Sequence, residues 1–83
     1  MKINHILVVC IGNICRSPMA EYFLKQQYPH LQIESAGISG LEGHAADDIA
    51  RLCMQRHGFD MSPHVAKKLN ADLIKKADLI LVM

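Results

Sequence analysis

Apolar and polar positions change period several times along the chain. Ile6-Leu7-Val8-Val9 is an unbroken apolar run and predicts a buried parallel strand over His5 to Val9. Beyond Pro18, which suits the first turn of a helix, Ala20, Phe23, Leu24 and Gln27 recur at helical spacing. Tyr28-Pro29-His30 ends that pattern. Leu31 to Ser35 alternates as a short strand, and Gly37 to Gly43, rich in glycine, reads as a loop. Ala46 to Arg56 puts Ile49, Leu52 and Cys53 on one apolar face, so a helix that buries them is expected there, ended by His57-Gly58. Phe59 to Lys68 is mostly irregular. Asn70 is a fair N-cap for a helix over Ala71 to Lys76, and Leu79 to Val82 is the third strand. Strand-helix-strand-helix-helix-strand is an α/β order. Right-handed crossovers then give an open parallel sheet with flanking helices and the first strand central. No repeat or boundary interrupts residues 1–83, which read as a single domain.

The chemistry gathers where the first strand gives way to the first helix, at Cys10-Ile11-Gly12-Asn13-Ile14-Cys15-Arg16-Ser17. Open α/β sheets bind ligands at such strand ends. A short loop running into a helix N-terminus aims unpaired N–H groups and the positive end of the helix dipole at one point, which makes an anion site. Cys10 at its mouth is expected to be a low-pKa thiolate nucleophile rather than a structural cysteine. Arg16 would sit badly at a helix N-terminus unless an anion were present, and its fork suits two phosphate oxygens. Gly12 lets the backbone approach the anion, and Asn13 tolerates the left-handed dihedrals of a curled loop. Ser17 can donate to the Cys10 sulfur or cap the helix.

The run Val8 to Glu21, with Cys-x5-Arg-Ser inside it, resembles the signature of the low-molecular-weight protein-tyrosine phosphatases. Glu34-Ser35-Ala36-Gly37 is similar to the family's "SAG" segment, and His64-Val65-Ala66-Lys67-Lys68-Leu69 to its "H-x-A-R-Q" segment. Ala77 to Met83 is similar to its "ADLILVM" strand, so the resemblance runs from about residue 5 onward. It implies the phosphotyrosine phosphatase I-like, Rossmann-like three-layer fold, with three of the usual four strands present. It also implies a phosphate-binding loop of Ile11, Gly12, Asn13, Ile14 and Cys15 between Cys10 and Arg16. Asn13 would brace that loop through Ser17, Ser35 and His64; otherwise Ser35 is a turn serine and His64 a surface histidine. Cys15 is implied as a redox partner that traps oxidised Cys10 as a disulfide, or else it is a loop cysteine packed inward. Leu41 falls where family members often line the substrate crevice. Its small neighbours Ser39 and Gly40 depart from that pattern, and no aromatic stands there.

Family members run to roughly twice this length, and their later half carries an Asp-Pro loop that supplies the general acid. No Asp-Pro occurs here; Asp47, Asp48, Asp60, Asp72 and Asp78 stand in other contexts. With its last residues in an apolar strand, the chain reads as the N-terminal half of such a domain. The expected activity is hydrolysis of phosphotyrosine or aryl phosphate monoesters through a phosphocysteine, impaired by loss of the acid. The alternatives are an arsenate reductase of the same fold and a non-catalytic phosphate-binding remnant.

Composition narrows the partners. A formal net charge of +1 argues against nucleic acid, and no segment approaches membrane-spanning length. The N-terminal residues do not form a signal peptide pattern. Cys10, Cys15 and Cys53 show no disulfide framework and no zinc spacing, which points to a reducing, cytoplasmic protein without metal or cofactor. Cys53 is expected in the core. The resemblance implies as partners a phosphotyrosine protein, such as a bacterial tyrosine kinase, and inorganic phosphate or other oxyanions. A homodimer through the exposed edge of the last strand is also expected.

Overall fold

A computed structural model describes residues 2–39 and 41–83; Met1 and Gly40, the latter counted above in the glycine-rich loop and beside Leu41, lie outside the described residues. The elements follow in the order β1 (His5–Cys10), α1 (Arg16–Gln27), β2 (Gln32–Gly37), α2 (Asp48–Arg56), α3 (Ala71–Lys76) and β3 (Leu79–Val82). The sheet has the order β2-β1-β3 and is parallel throughout, with β1 in the centre. Every residue of β1 is buried, as its unbroken apolar run requires.

The strand's two faces build two separate apolar layers. Ile6, Val8 and Ile33 pack under Ala20, Leu24 and Leu31, so α1 covers one face. Leu7, Val9 and Ala36 meet Leu73, Leu69 and Ala77, so α3 and the chain leading to it cover the other. A third cluster joins α2 to α1: Ala46, Ala50, Met54 and Met61 pack with Met19, Tyr22 and Phe59.

That third cluster corrects the expected helix face. α2 starts at Asp48 and is capped by Asp47, whose side chain accepts from the Ala50 N–H. It buries Ala50 and Met54 and leaves Ile49 79% and Leu52 57% exposed. Cys53 is exposed as well, not a core residue. The helix packs through the small Ala50 and the flexible Met54, while its most apolar stripe faces away. In α1, Phe23 is likewise 48% exposed.

β2 starts one residue later than expected and runs on to Gly37, because β1 runs on to Cys10 and the two pair along their whole length. Asn70 caps α3 as expected, accepting from the Leu73 N–H at 2.9 Å. Among the described residues β3 pairs only with β1, and its residues are 37–73% exposed. Its start is stitched to β1 by Asp78, which accepts from the N–H groups of Asn4 and His5 at 2.8 and 3.0 Å.

Glu34 is a second clamp. Its carboxylate takes His5 Nε2 at 2.6 Å, Lys67 Nζ at 2.8 Å and Lys76 Nζ at 3.8 Å. The hydrogen bond from Lys67 outweighs desolvation and holds the Glu34 carboxyl below its ordinary range. One side chain thereby ties β2 to the start of β1, to the end of α3 and to the segment before α3. That last tie matters for the site, because the segment carries His64 and Lys67. Among the described residues, no helix is long and apolar enough to cross a membrane.

Candidate active site

Cys10 ends the central strand, and the chain curls from it through Cys15 into α1. Cys10 is buried, at 4% residue exposure. Ser17 Oγ lies 2.9 Å from its sulfur, and the Asn13 N–H donates to that sulfur at 3.3 Å. Burial alone would push the thiol up, but hydrogen bonds from the Ser17 hydroxyl and from the N–H groups of Ser17, Asn13 and Gly12 overcome it. The result is a Cys10 thiol held below its ordinary range.

Asn13 is the hub of the loop. It adopts φ 57°, which an asparagine tolerates better than other side chains, and it is fully buried. Its Nδ2 donates to Ser17 Oγ and to Ser35 Oγ, each at 2.8 Å. Its Oδ1 accepts from the Lys67 N–H at 2.9 Å, which fixes which end of the amide is which. Its backbone carbonyl accepts from His64 Nε2 at 2.7 Å, so that nitrogen carries the ring proton. His64 is 6% exposed and is not a surface histidine; the Tyr22 ring meets it edge-on at 6.1 Å. Ser35 is buried in β2 rather than in a turn.

The loop is also held from behind. Gly37 presses on it so closely that a Cβ there would lie 2.8–2.9 Å from Gly12 C, Ile11 O and Asn13 N. All three are backbone atoms that cannot step aside. The N–H of Ile38 donates to Cys10 O and that of Ser39 to Ile11 O. Leu41 lies over Gly12, where a Cβ would stand 2.5 Å from Leu41 Cδ1.

Ser17 does not cap α1. Cys15 occupies the N-cap position, with no side-chain cap bond, and Ser17 sits inside the first turn with its hydroxyl turned to Cys10. Cys15 is exposed and its thiol is free, so it is not packed inward. Ile11 is 61% exposed, and Ile14 is half-buried. Arg16 is exposed and makes no ion pair among the described residues. It borders an apolar recess of about 350 Å³ with Met19, Ala20, Phe23, Met54 and Met83. The first turn of α1 carries no acidic residue to oppose an anion.

The aspartates are committed elsewhere. Asp47 caps α2, Asp48 pairs with Arg51, Asp60 accepts from the Ser62 N–H and Asp78 joins β1 to β3. Asp72 stands in the first turn of α3. Among the described residues no three His, Cys, Asp or Glu side chains gather into a metal site. Glu21 and Lys67 reach this network although nothing in the sequence reading singled them out. The Ser35 hydroxyl donates to the Glu21 carboxylate, and the Lys67 N–H holds Asn13. Their only signal was their place inside the segments that carry the resemblance.

Residues 5–83 match the family model described as low molecular weight phosphotyrosine protein phosphatase. The chain is 72% identical over its whole length to the low molecular weight protein-tyrosine-phosphatase Ptp of Acinetobacter johnsonii, covering 58% of that protein. The crystal structure of the Erwinia amylovora tyrosine phosphatase AmsI superposes with a TM-score of 0.96 at 49% identity, over 99% of this chain and 54% of that one. The Escherichia coli K30 tyrosine phosphatase Wzb, solved in complex with sulphate, superposes at 0.95 with 39% identity, over 99% and 57%. The chain thus spans little more than half the length of the relatives it matches. The match to the family model takes in the cysteine loop and every strand and helix described above, and the chain belongs to the low molecular weight phosphotyrosine protein phosphatase family.

Proposed function

We propose that the protein hydrolyses phosphotyrosine and other aryl phosphate monoesters through a phosphocysteine at Cys10. The observation that carries this reading is the set of hydrogen-bond donors on the Cys10 sulfur, which outweigh burial and favour the thiolate. The thiolate attacks phosphorus in line with the ester oxygen. An S–P bond forms and the P–O bond to the aryl group breaks. Water then attacks phosphorus, the S–P bond breaks, and phosphate leaves with the thiolate restored. The N–H groups of the loop and the Arg16 guanidinium hold the equatorial oxygens, where charge is greatest in the transition state. Ser17, by donating to sulfur, eases departure of the thiolate in the second step.

The aspartates of these 83 residues are committed elsewhere or stand apart in α3, so no general acid is assigned among them. General acid catalysis is worth about 10²–10⁴-fold. The 83-residue chain is therefore expected to turn over para-nitrophenyl phosphate at least about 10²-fold faster than phenyl phosphate, whose leaving group needs a proton. Steady-state rates on the two esters check this; equal rates would contradict it.

The expected substrate is a phosphotyrosine protein such as a bacterial tyrosine kinase, the product an oxyanion that the loop itself binds, and the compartment a reducing cytoplasm in keeping with free Cys10, Cys15 and Cys53. Cys15, exposed at the rim of the loop, is the partner proposed to trap oxidised Cys10. The outer edge of β3, unpaired among the described residues, is apolar, and such an edge recruits another strand. The 83-residue chain is accordingly expected to self-associate. Light scattering that returned a monomer across the micromolar range would rule this out.

A further inference from the structure

Among the described residues, Glu21 is the one buried carboxylate, at 8% exposure. The phosphoryl chemistry above makes no use of it. It lies in the second turn of α1, and its two oxygens are spoken for by different groups. Oε1 accepts the Ser35 hydroxyl, and Oε2 meets Lys25 Nζ at 2.5 Å.

The consequence follows from counting protons. A carboxylate can only accept, so the single Ser35 hydroxyl hydrogen points at Glu21. Ser35 Oγ is left with lone pairs alone to offer Asn13 Nδ2. The same nitrogen gives its second hydrogen to Ser17 Oγ. Ser17, having accepted, keeps its own hydrogen for the Cys10 sulfur. The donors thus branch from Asn13 Nδ2, one limb passing through Ser35 to end on Glu21 and the other through Ser17 to end on the Cys10 sulfur.

We propose that Glu21 is a positioning residue for Cys10, acting through Ser35 on Asn13 and so on the Ser17 hydroxyl that faces the sulfur. The proposal rests on the phosphatase reading of the site. Lys25 sharpens it. Its ammonium claims the Oε2 position, so in a Glu21→Gln variant the glutamine oxygen goes to Lys25 and its NH₂ is turned on Ser35. Ser35 then meets two donors, and its own hydrogen loses its buried acceptor. Removing the ammonium as well, in Glu21→Gln/Lys25→Met, frees the amide to turn its oxygen back to Ser35.

The test is the pH dependence of Cys10 alkylation by iodoacetamide, read on the Cys10 peptide by mass spectrometry so that Cys15 and Cys53 are counted apart. Circular dichroism confirms that each variant is folded. Glu21→Gln is expected to raise the Cys10 titration and to slow alkylation on its acid side about tenfold, the factor that one pKa unit represents. The double variant is expected to recover to within about threefold of the parent. In a Ser35→Ala background, where the hydroxyl that transmits the effect is gone, Glu21→Gln is expected to add less than about twofold.

A depressed parent profile that Glu21→Gln leaves unchanged overturns the proposal alone. So does a full further loss in the Ser35→Ala background, or a double variant no better than Glu21→Gln. A parent chain whose Cys10 titrates like Cys15 overturns the reading of the site, and this proposal with it.

Discussion

Replacing Cys10 by serine is expected to reduce para-nitrophenyl phosphate turnover on the order of 10⁴-fold or more, to background. The fold should be untouched, since the two side chains differ little in size and Ser17 still offers a hydrogen bond. The loss is chemical. The donors around Cys10 favour an anion on sulfur, whose ordinary pKa lies within reach of neutrality. The same donors cannot ionise a hydroxyl. The sign with pH follows. The thiolate fraction grows as pH rises through the depressed Cys10 pKa, so parent kcat/KM should climb on an acid limb below the ordinary thiol range and then level. In Cys10→Ser that limb should vanish. Binding of inorganic phosphate, followed by calorimetry, should survive, because the backbone amides and Arg16 remain and a negative neighbour has gone. A serine variant that kept more than about one part in 10² of the parent turnover would remove Cys10 from the mechanism.

Asn13→Ala carries the second large effect. Alanine at φ 57° costs about 1 kcal/mol, and the substitution strips three hydrogen bonds from a buried hub. A buried group left without its partner costs about 1–3 kcal/mol, and Ser17, Ser35 and the Lys67 N–H would all be so left. Turnover is expected to fall about 10²-fold, and chemical denaturation should show a loss of about 3 kcal/mol or more. Asn13→Gly separates the two causes. It should recover the backbone strain, about 1 kcal/mol, without recovering the bonds. If Asn13→Ala kept turnover within about threefold, the loop would owe its shape to something else.

Much of this was legible before the structure. The apolar run ending in Cys10, the glycine and asparagine in the loop and the helix behind them are local signals. Each depends on neighbours in sequence, and parallel topology follows from the order of elements. The failures share one cause: they depend on which distant surface an element meets. Periodicity chose the most apolar face of α2, but α1 presents Met19 and Tyr22 to Ala50 and Met54, leaving Ile49, Leu52 and Cys53 outside. Ser17 could be read as a cap or as a donor to Cys10, and the fold keeps only the second, because Cys15 takes the N-cap position. Glu21 carries no signal of its own in the sequence, because its role depends on β2 bringing Ser35 against α1. Lys67 contributes to the loop through its backbone N–H, which has no signature in a side-chain pattern.

The covalent bond between the Cys10 sulfur and phosphorus is the central step of the proposed reaction. Its most direct test is rapid acid quenching of the 83-residue chain during para-nitrophenyl phosphate turnover, followed by mass spectrometry of the digest. A phosphoryl adduct on the Cys10 peptide, absent from Cys10→Ser and from the Cys15 and Cys53 positions, is the predicted result. Sustained turnover with Cys10 never labelled, or with the label on another residue, would contradict it.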